Sequence, residues 1–399
     1  MTISAIAPAS SSTPLTPLGR RRAMLALAMG GFGIGTTEFV AMGLLPQIAD
    51  GLGVPEPTAG HVITAYALGV VVGAPLIAAL TARMPRKTLL IALMVAFTVG
   101  NAAAIVAPNY GGLMVARFVA GLPHGAYFGV ASLVAAHLAE RGQRAKAVAT
   151  VMSGLAVANV VGVPVAAWLG QNLGWRSAFA LVATIGAVTV VAITAWVPSL
   201  HTLRTTDPRT ELGALWRGQV WLTLVVGMVG FGGMFAVYTY VASTMTEVAG
   251  LPMSLVPLAL MIYGLGMVAG NVVGGVLADR ALTRGLFAMM GVLVVFLAVF
   301  ALAAHNPYTA MIVLFLVATA GSALVPGLQT RLMDVAADAQ TLAAALNHSA
   351  LNIANAFGAW IGGVVIAAGF GYTAPALVGA GLAAAGLAVL AVAVVTARR

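Results

Sequence analysis

The chain is written as a series of apolar runs, each about as long as a bilayer is thick. Twelve of them, at residues 23–48, 58–81, 88–107, 112–138, 145–169, 177–197, 219–243, 254–278, 286–304, 308–330, 342–367 and 372–396, are separated by short polar turns. A helix needs roughly 20 apolar residues to cross the ~30 Å hydrocarbon core. Only 7% of the 399 residues are charged and 61% are hydrophobic, whereas a soluble chain carries about 25% charge. The pattern predicts an all-α membrane protein with twelve transmembrane helices. Cysteine is absent, which excludes disulfides and thiolate-bound metals.

The net charge of +9 sits almost wholly in the short loops, so it reports membrane orientation and not nucleic-acid binding. With both termini cytoplasmic, the inner segments hold Arg20, Arg21, Arg22, Arg83, Arg86, Lys87, Arg141, Arg144, Lys146, Arg204, Arg209, Arg217, Arg280, Arg284, Arg331, Arg398 and Arg399. The opposite loops hold Arg176 alone. The inverted arrangement fails the positive-inside rule. Residues 1–22 then form a tail rich in Ser, Thr and Pro that ends in a basic anchor. The arginine triplet also fits an export signal, but the run behind it is too long for a signal core and no small-residue cleavage site follows, so it reads as a retained first span.

Within the spans, charge is rare enough to be informative. Glu38 is the one charged residue of the first run and Arg117 that of the fourth. An ionised group near the bilayer centre costs about 2.5–3.5 kcal/mol even on lenient insertion scales, so such residues face a bundle interior or a wet cavity. Glu38 and Arg117 are therefore expected to act together, either as a direct pair or across a hydrated cavity. His124 lies seven residues beyond Arg117, on the same helical face, with Tyr127 and Phe128 one turn further. It fits a proton relay or a substrate contact, and equally a histidine satisfied by a neighbouring helix backbone. Asn159, Asn271, Asn352 and Asn355, with Phe235 and Tyr238 of the seventh span, are candidate linings of a substrate cavity, although each singly also fits helix packing.

The longest internal polar stretch, residues 198–218, divides the chain into halves of six spans, 23–197 and 219–396, with 397–399 as a second tail. The halves repeat. Tyr66, Leu68, Gly69, Gly73, Leu80 and Arg83 match Tyr263, Leu265, Gly266, Gly270, Leu277 and Arg280 at an offset of 197. In the fifth and eleventh spans Ser153, Leu155, Ala158, Asn159 and Gly162 match Ser349, Leu351, Ala354, Asn355 and Gly358 at 196. Two pseudo-symmetric six-helix bundles are an architecture of secondary transporters, with the site at the midplane between halves. The glycines at 30–35 lie inside a span with no strand before them, so they form no nucleotide site. Gly121, Gly125 and Gly129, like Gly266, Gly270 and Gly274, are spaced as packing ridges. No Walker motif occurs, so transport is expected to run on an ion gradient or downhill.

Three motifs carry a family resemblance over residues 20–396. Gly73 followed by Arg83, Arg86 and Lys87 resembles the first cytoplasmic loop signature of the major facilitator superfamily, with Ala82 in place of its Asp and Pro85 in place of its second Gly. The second-half copy keeps the acid as Asp279 before Arg280. Arg117 with Gly121 resembles the family's intramembrane Arg motif, and Gly154, Gly162, Pro164 and Gly170 resemble the glycine and proline pattern of its antiporter branch. The stretches GTTEFVAMGLLP and ARFVAGLPHGAYFG look like the subgroup of sugar and arabinose efflux permeases and chloramphenicol exporters. The resemblance implies a major facilitator fold with proton-coupled efflux across the bacterial inner membrane. It implies a proton gradient in place of any cofactor, no nucleotide, and a monomer. Glu38, Arg117 and His124 are then expected to handle the proton, and the loop residues Gly73, Arg83, Arg86, Lys87, Asp279 and Arg280 to gate the cytoplasmic side. Proton-coupled import or uniport of a small solute is the alternative.

Overall fold

The computed structural model describes residues 16–81, 84–140, 143–199, 216–336 and 340–397. Arg83 and Ala82, most of the central linker and the tail at 1–15 lie outside the described residues. What is described is helical, with no strand. Eleven helices are long and apolar enough to cross a membrane. One of them, Met253–Ala303, has 51 residues, and a straight helix of that length would be about 75 Å long, more than twice the hydrocarbon core. Its backbone leaves the helical region at Ala281, with φ −160° and ψ 63°, so the stretch makes two crossings joined at that break. Twelve crossings result.

Three of the spans are interrupted where the sequence demands it. The first, Pro17–Gly43, stops short of Pro46 and continues as the outer helix Leu45–Leu52. The fourth is split into Tyr110–Gly121 and Pro123–Leu138, because Pro123 has no N–H to continue the ladder. The fifth runs Arg144–Val157, widens into a π turn over Ala158–Gly162, and resumes as Val163–Leu173 with Pro164 in its first turn. The π turn just ahead of Pro164 carries Asn159.

The repeat extends from sequence into packing. A Cβ on Gly69 would fall 2.2 Å from the Phe118 carbonyl, and one on Gly266 would fall 2.5 Å from that of Phe315. Gly73 faces the Leu122 carbonyl and Gly270 that of Thr319 in the same way. Each partner lies 197 residues from its counterpart, so the second span packs on the fourth as the eighth packs on the tenth. The Gly266, Gly270 and Gly274 ridge meets backbone throughout; in the other ridge Gly121 meets the Tyr66 carbonyl and Gly125 the Ala74 side chain, whereas Gly129 faces open space and is no packing contact.

The glycines of the fifth span have one common neighbour. Gly154 faces the Ala28 carbonyl, Gly162 the Thr36 hydroxyl and Gly170 the Leu44 side chain, all along the first span. Steps of eight residues on both helices keep the two parallel and in contact, and the eleventh span repeats this against the seventh, with Gly358 on the Gly232 carbonyl. The halves meet where the second span packs on the eleventh and the fifth on the eighth. Because a Cβ at Gly154 would sit 2.1 Å from the Ala28 carbonyl, Gly154→Leu should lower stability by about 1–3 kcal/mol through overpacking. Thermal unfolding of the detergent-purified protein checks this, with Gly129→Leu as the control expected to leave the melting temperature unchanged.

Candidate functional site

Arg117 is fully buried in the fourth span and Glu38 is 6% exposed in the first. The sequence left open whether they bond directly, and here they do not: among the described residues no ion pair joins them. The guanidinium instead grips the residue before the acid. Nη1 donates to the Thr37 hydroxyl at 2.9 Å and Nη2 to the Thr37 carbonyl at 3.0 Å. Thr37 in turn donates to Asn101 Oδ1 at 2.5 Å, and Asn101 Nδ2 donates to the Phe97 carbonyl at 2.8 Å. The flat face of the guanidinium lies 4.4 Å from the centre of the Tyr66 ring and 5.5 Å from that of Phe179, a cation–π enclosure. Glu38 feels Arg117, Tyr66 and Tyr238 through space.

Tyr66 also reaches the histidine. Its hydroxyl lies 3.0 Å from His124 Nδ1, so His124 bonds to a side chain and not to a helix backbone. Phe128 contacts His124 edge-on and stacks, at 6.2 Å, on His348 of the eleventh span. Arg117, Tyr66, His124, Phe128 and His348 thereby form one line from the N-terminal half into the C-terminal half. Tyr127 stands apart from it. Its hydroxyl donates to the Leu27 carbonyl at 2.8 Å and fills the notch left by Gly30 inside the N-terminal half.

Across the seam the first span meets the seventh through aromatic rings. Phe39 stacks on Phe235 at 6.4 Å and lies 5.8 Å from Tyr238, and Tyr238 stacks on Tyr263 at 3.7 Å. Tyr263 precedes Gly264, which lies against the Asn159 backbone. Several buried polar atoms here have no hydrogen-bond partner among the described residues: Asn159 Oδ1, Asn352 Oδ1, both side-chain atoms of Asn355, and the hydroxyls of Tyr238 and Tyr263. Buried polar atoms are usually satisfied, so these are the groups best placed to bond a bound solute. Asn271 is not among them. It is exposed and donates to the Met267 carbonyl of its own helix, as Asn159 and Asn352 do to the Leu155 and His348 carbonyls of theirs.

The site is built from one half only as far as charge is concerned. At the offsets of the repeat, Glu38 corresponds to Met234 and Arg117 to Leu314, both buried. Asn159 and Asn355 correspond to each other, as do Tyr66 and Tyr263. The neutral groups are duplicated and the titratable pair is not. Thr37, Asn101, Phe39 and His348 were not anticipated, because a lone threonine, asparagine, phenylalanine or histidine in an apolar run carries no periodic signal. Tyr66 and Tyr263 were visible as repeat matches without an assigned role.

A model of the Major Facilitator Superfamily matches residues 27–301 and 241–399. The chain belongs to this superfamily. Members of the superfamily are transporters and not enzymes, and the chain is an integral membrane transporter. It is similar to the inner membrane transport protein YdhP of Escherichia coli strain K12, with 42% identity over 92% of this chain and 94% of that one. It is 34% identical to the putative transporter AraJ of the same strain, over 90% of this chain and 91% of that one. A chloramphenicol resistance protein of Streptomyces lividans is also 34% identical, over 87% of this chain and 88% of that one. Among solved structures, a bacterial homologue of the human lysosomal transporter Spinster, inward-facing and occupied, shares the fold at TM-score 0.72 and 16% identity, over 95% of this chain and 96% of that one.

Lys87 donates to the Thr194 carbonyl at 2.8 Å, so it closes the C-terminus of the sixth span and complements that helix end. Asp279 and Arg280 stand exposed just before the break at Ala281. Arg86 is partly exposed at the first turn of the third span, Arg86–Ile105. Arg20 instead pairs with Glu140, tying the start of the first span to the end of the fourth. In the site itself, Thr37→Val keeps the shape of the side chain but leaves Arg117 and Asn101 each short of a partner. It should destabilise by about 1.5–3 kcal/mol, read as a lowered melting temperature that Thr37→Ser largely restores.

Proposed function

We propose that this superfamily member exports small neutral or cationic organic compounds in exchange for protons, by alternating access across the bacterial inner membrane with both termini cytoplasmic. The reading rests on one observation above the others: Glu38, the one buried carboxylate among the described residues, stands at the seam beside Arg117, which is bonded to the adjacent Thr37 and so cannot leave with it. A proton on Glu38 changes the charge of the site while the cation stays fixed. Protonated, Glu38 no longer offsets Arg117 and no longer holds a cationic or hydrogen-bonding solute, and the neutral acid crosses the occluded state at lower cost. Deprotonated toward the cytoplasm, it binds solute again. The aromatic wall of Phe39, Phe235, Tyr238 and Tyr263 supplies apolar contact from both halves, and Asn159, Asn352 and Asn355 supply neutral hydrogen bonds.

No cofactor enters the scheme; the proton gradient drives it. One charge moved through 100 mV is worth ~2.3 kcal/mol, enough for a solute gradient of tens-fold. The relatives include a protein named for chloramphenicol resistance, which favours export of an uncharged aromatic amide-type solute over proton-coupled import or uniport. In inverted membrane vesicles energised acid-inside, wild-type protein should accumulate its solute. Glu38→Gln should lose accumulation at least tenfold while solute-for-solute counterflow persists, because only the proton step is removed. Wild-type accumulation rates should rise as the vesicle interior is acidified, since the outward-facing site must take up a proton there. Accumulation by Glu38→Gln at the wild-type rate would exclude the scheme.

A further inference from the structure

Beside their contact at Gly154, the first and fifth spans leave a groove of about 790 Å³ between them. Every described residue that lines it lies between Pro17 and Val157, in the N-terminal half, and Glu38, Phe39 and Asn159 are not among them. The solute site therefore does not account for it. Its wall is apolar: Met24, Leu25, Met29 and Phe32 come from the first span, and Val157 from the fifth. Its mouth is basic, with Arg20, Arg21 and Lys146 set against the one acid in the lining, Glu140. Glu140 pairs with Arg20, which neutralises that charge. Arg21 and Lys146 are exposed and have no acidic partner among the described residues. The Thr150 and Ser153 hydroxyls, also in the lining, donate to carbonyls of their own helix. Two cations are left facing the groove without a counterion.

The groove is continuous with a surface that faces lipid. Val157 begins a line of exposed apolar side chains, Val157, Val161, Val165 and Trp168, at helical spacing along the fifth span. An uncovered apolar face on a transmembrane helix meets acyl chains. The depth of the groove fits the same surroundings. From Arg21 to Phe32 the first span rises about 16 Å, close to the ~15 Å of hydrocarbon in one leaflet, half of the ~30 Å core. Cations stand at headgroup level, and one leaflet's depth of apolar wall follows them. A free phosphate would leave that wall uncovered. A neutral amphiphile would leave the two cations unpaired.

We propose that this groove binds an anionic phospholipid of the cytoplasmic leaflet, with its phosphate between Arg21 and Lys146 and an acyl chain along Leu25, Met29, Phe32 and Val157. Charge-assisted hydrogen bonds from the two cations hold the phosphate, and basic clefts between transmembrane helices on the cytoplasmic side suit such headgroups. The lipid joins the start of the first span to the start of the fifth, beside the pair that Arg20 makes with Glu140. It is bound and not carried, because the groove draws on one half only. The leaflet follows from the orientation proposed above; the binding itself is independent of the solute and of the role of Glu38.

Native mass spectrometry of the delipidated full-length protein, titrated with dioleoylphosphatidylglycerol or dioleoylphosphatidylcholine, gives the affinity for the first lipid bound. Each Lys or Arg near the headgroups favours an anionic lipid about fivefold. The parent protein should therefore bind the glycerol lipid about thirtyfold more tightly than the choline lipid. Arg21→Gln and Lys146→Gln should each cost about fivefold of that preference, and the double variant nearly all of it, with choline-lipid binding unchanged. Arg22 and Arg144 are exposed neighbours outside the groove, so the double variant Arg22→Gln, Arg144→Gln removes the same charge and should keep the preference. Val157→Trp, which fills the apolar wall, should weaken both lipids, and glycerol phosphate at equal concentration should not compete. Equal melting temperatures check that each variant is folded. Equal affinity for the two lipids, or a preference lost as fully in the Arg22 and Arg144 variant, would overturn the assignment. So would unweakened binding in Val157→Trp, or competition by glycerol phosphate, which would leave a site for a free anion only.

Discussion

A guanidinium that must stay charged inside a membrane bundle is the constraint from which the rest of the site follows. Desolvating such a group is costly unless it is enclosed by acceptors and polarisable rings. Arg117 obtains both, from Thr37 and from Tyr66 and Phe179. Thr37 fixes the turn of the first span on which Glu38 stands. Tyr66 belongs to the second span, which packs on the eleventh, so the cation is secured by helices that belong to the N-terminal half but border its partner. The interruption at Leu122 places Arg117 and His124 on separate helical segments of the fourth span, and both still reach Tyr66. A fixed positive charge next to a free carboxylate lets one proton switch the polarity of the seam without any rearrangement of the cation.

The comparison of the two halves sharpens this. Helix-to-helix contacts are duplicated closely enough that glycine neighbours recur at the same offsets, because close approach of helices in lipid depends on small residues and shape. The charged pair is not duplicated; Met234 and Leu314 occupy the equivalent places. One half therefore carries the charged pair, while rings and neutral amides come from both. That division fits a transporter whose solute touches both halves while its coupling proton touches one.

Much of the fold was legible in the sequence because bilayer thickness sets span length and lipid forbids unpaired backbone groups. The polar turn at 279–285 separated the eighth and ninth spans in the sequence, and the backbone departs from helix within it at Ala281. Glu38 and Arg117 were legible because charge is rare in the runs, and the glycines of the fifth span because their spacing is regular. The partners of those charges were not. Thr37 and Asn101 are common helix residues, and nothing in their spacing distinguishes them from the threonines that bond back to their own helices.

The coupling role of Glu38 is tested most directly by proton release from weakly buffered, detergent-solubilised protein when solute is added, across sugars, nucleosides, chloramphenicol and lipophilic cations. Release on binding one class of compound, about one proton per site and absent in Glu38→Gln, is the predicted result. Solute binding with no release, or release that persists undiminished in Glu38→Gln, would contradict it.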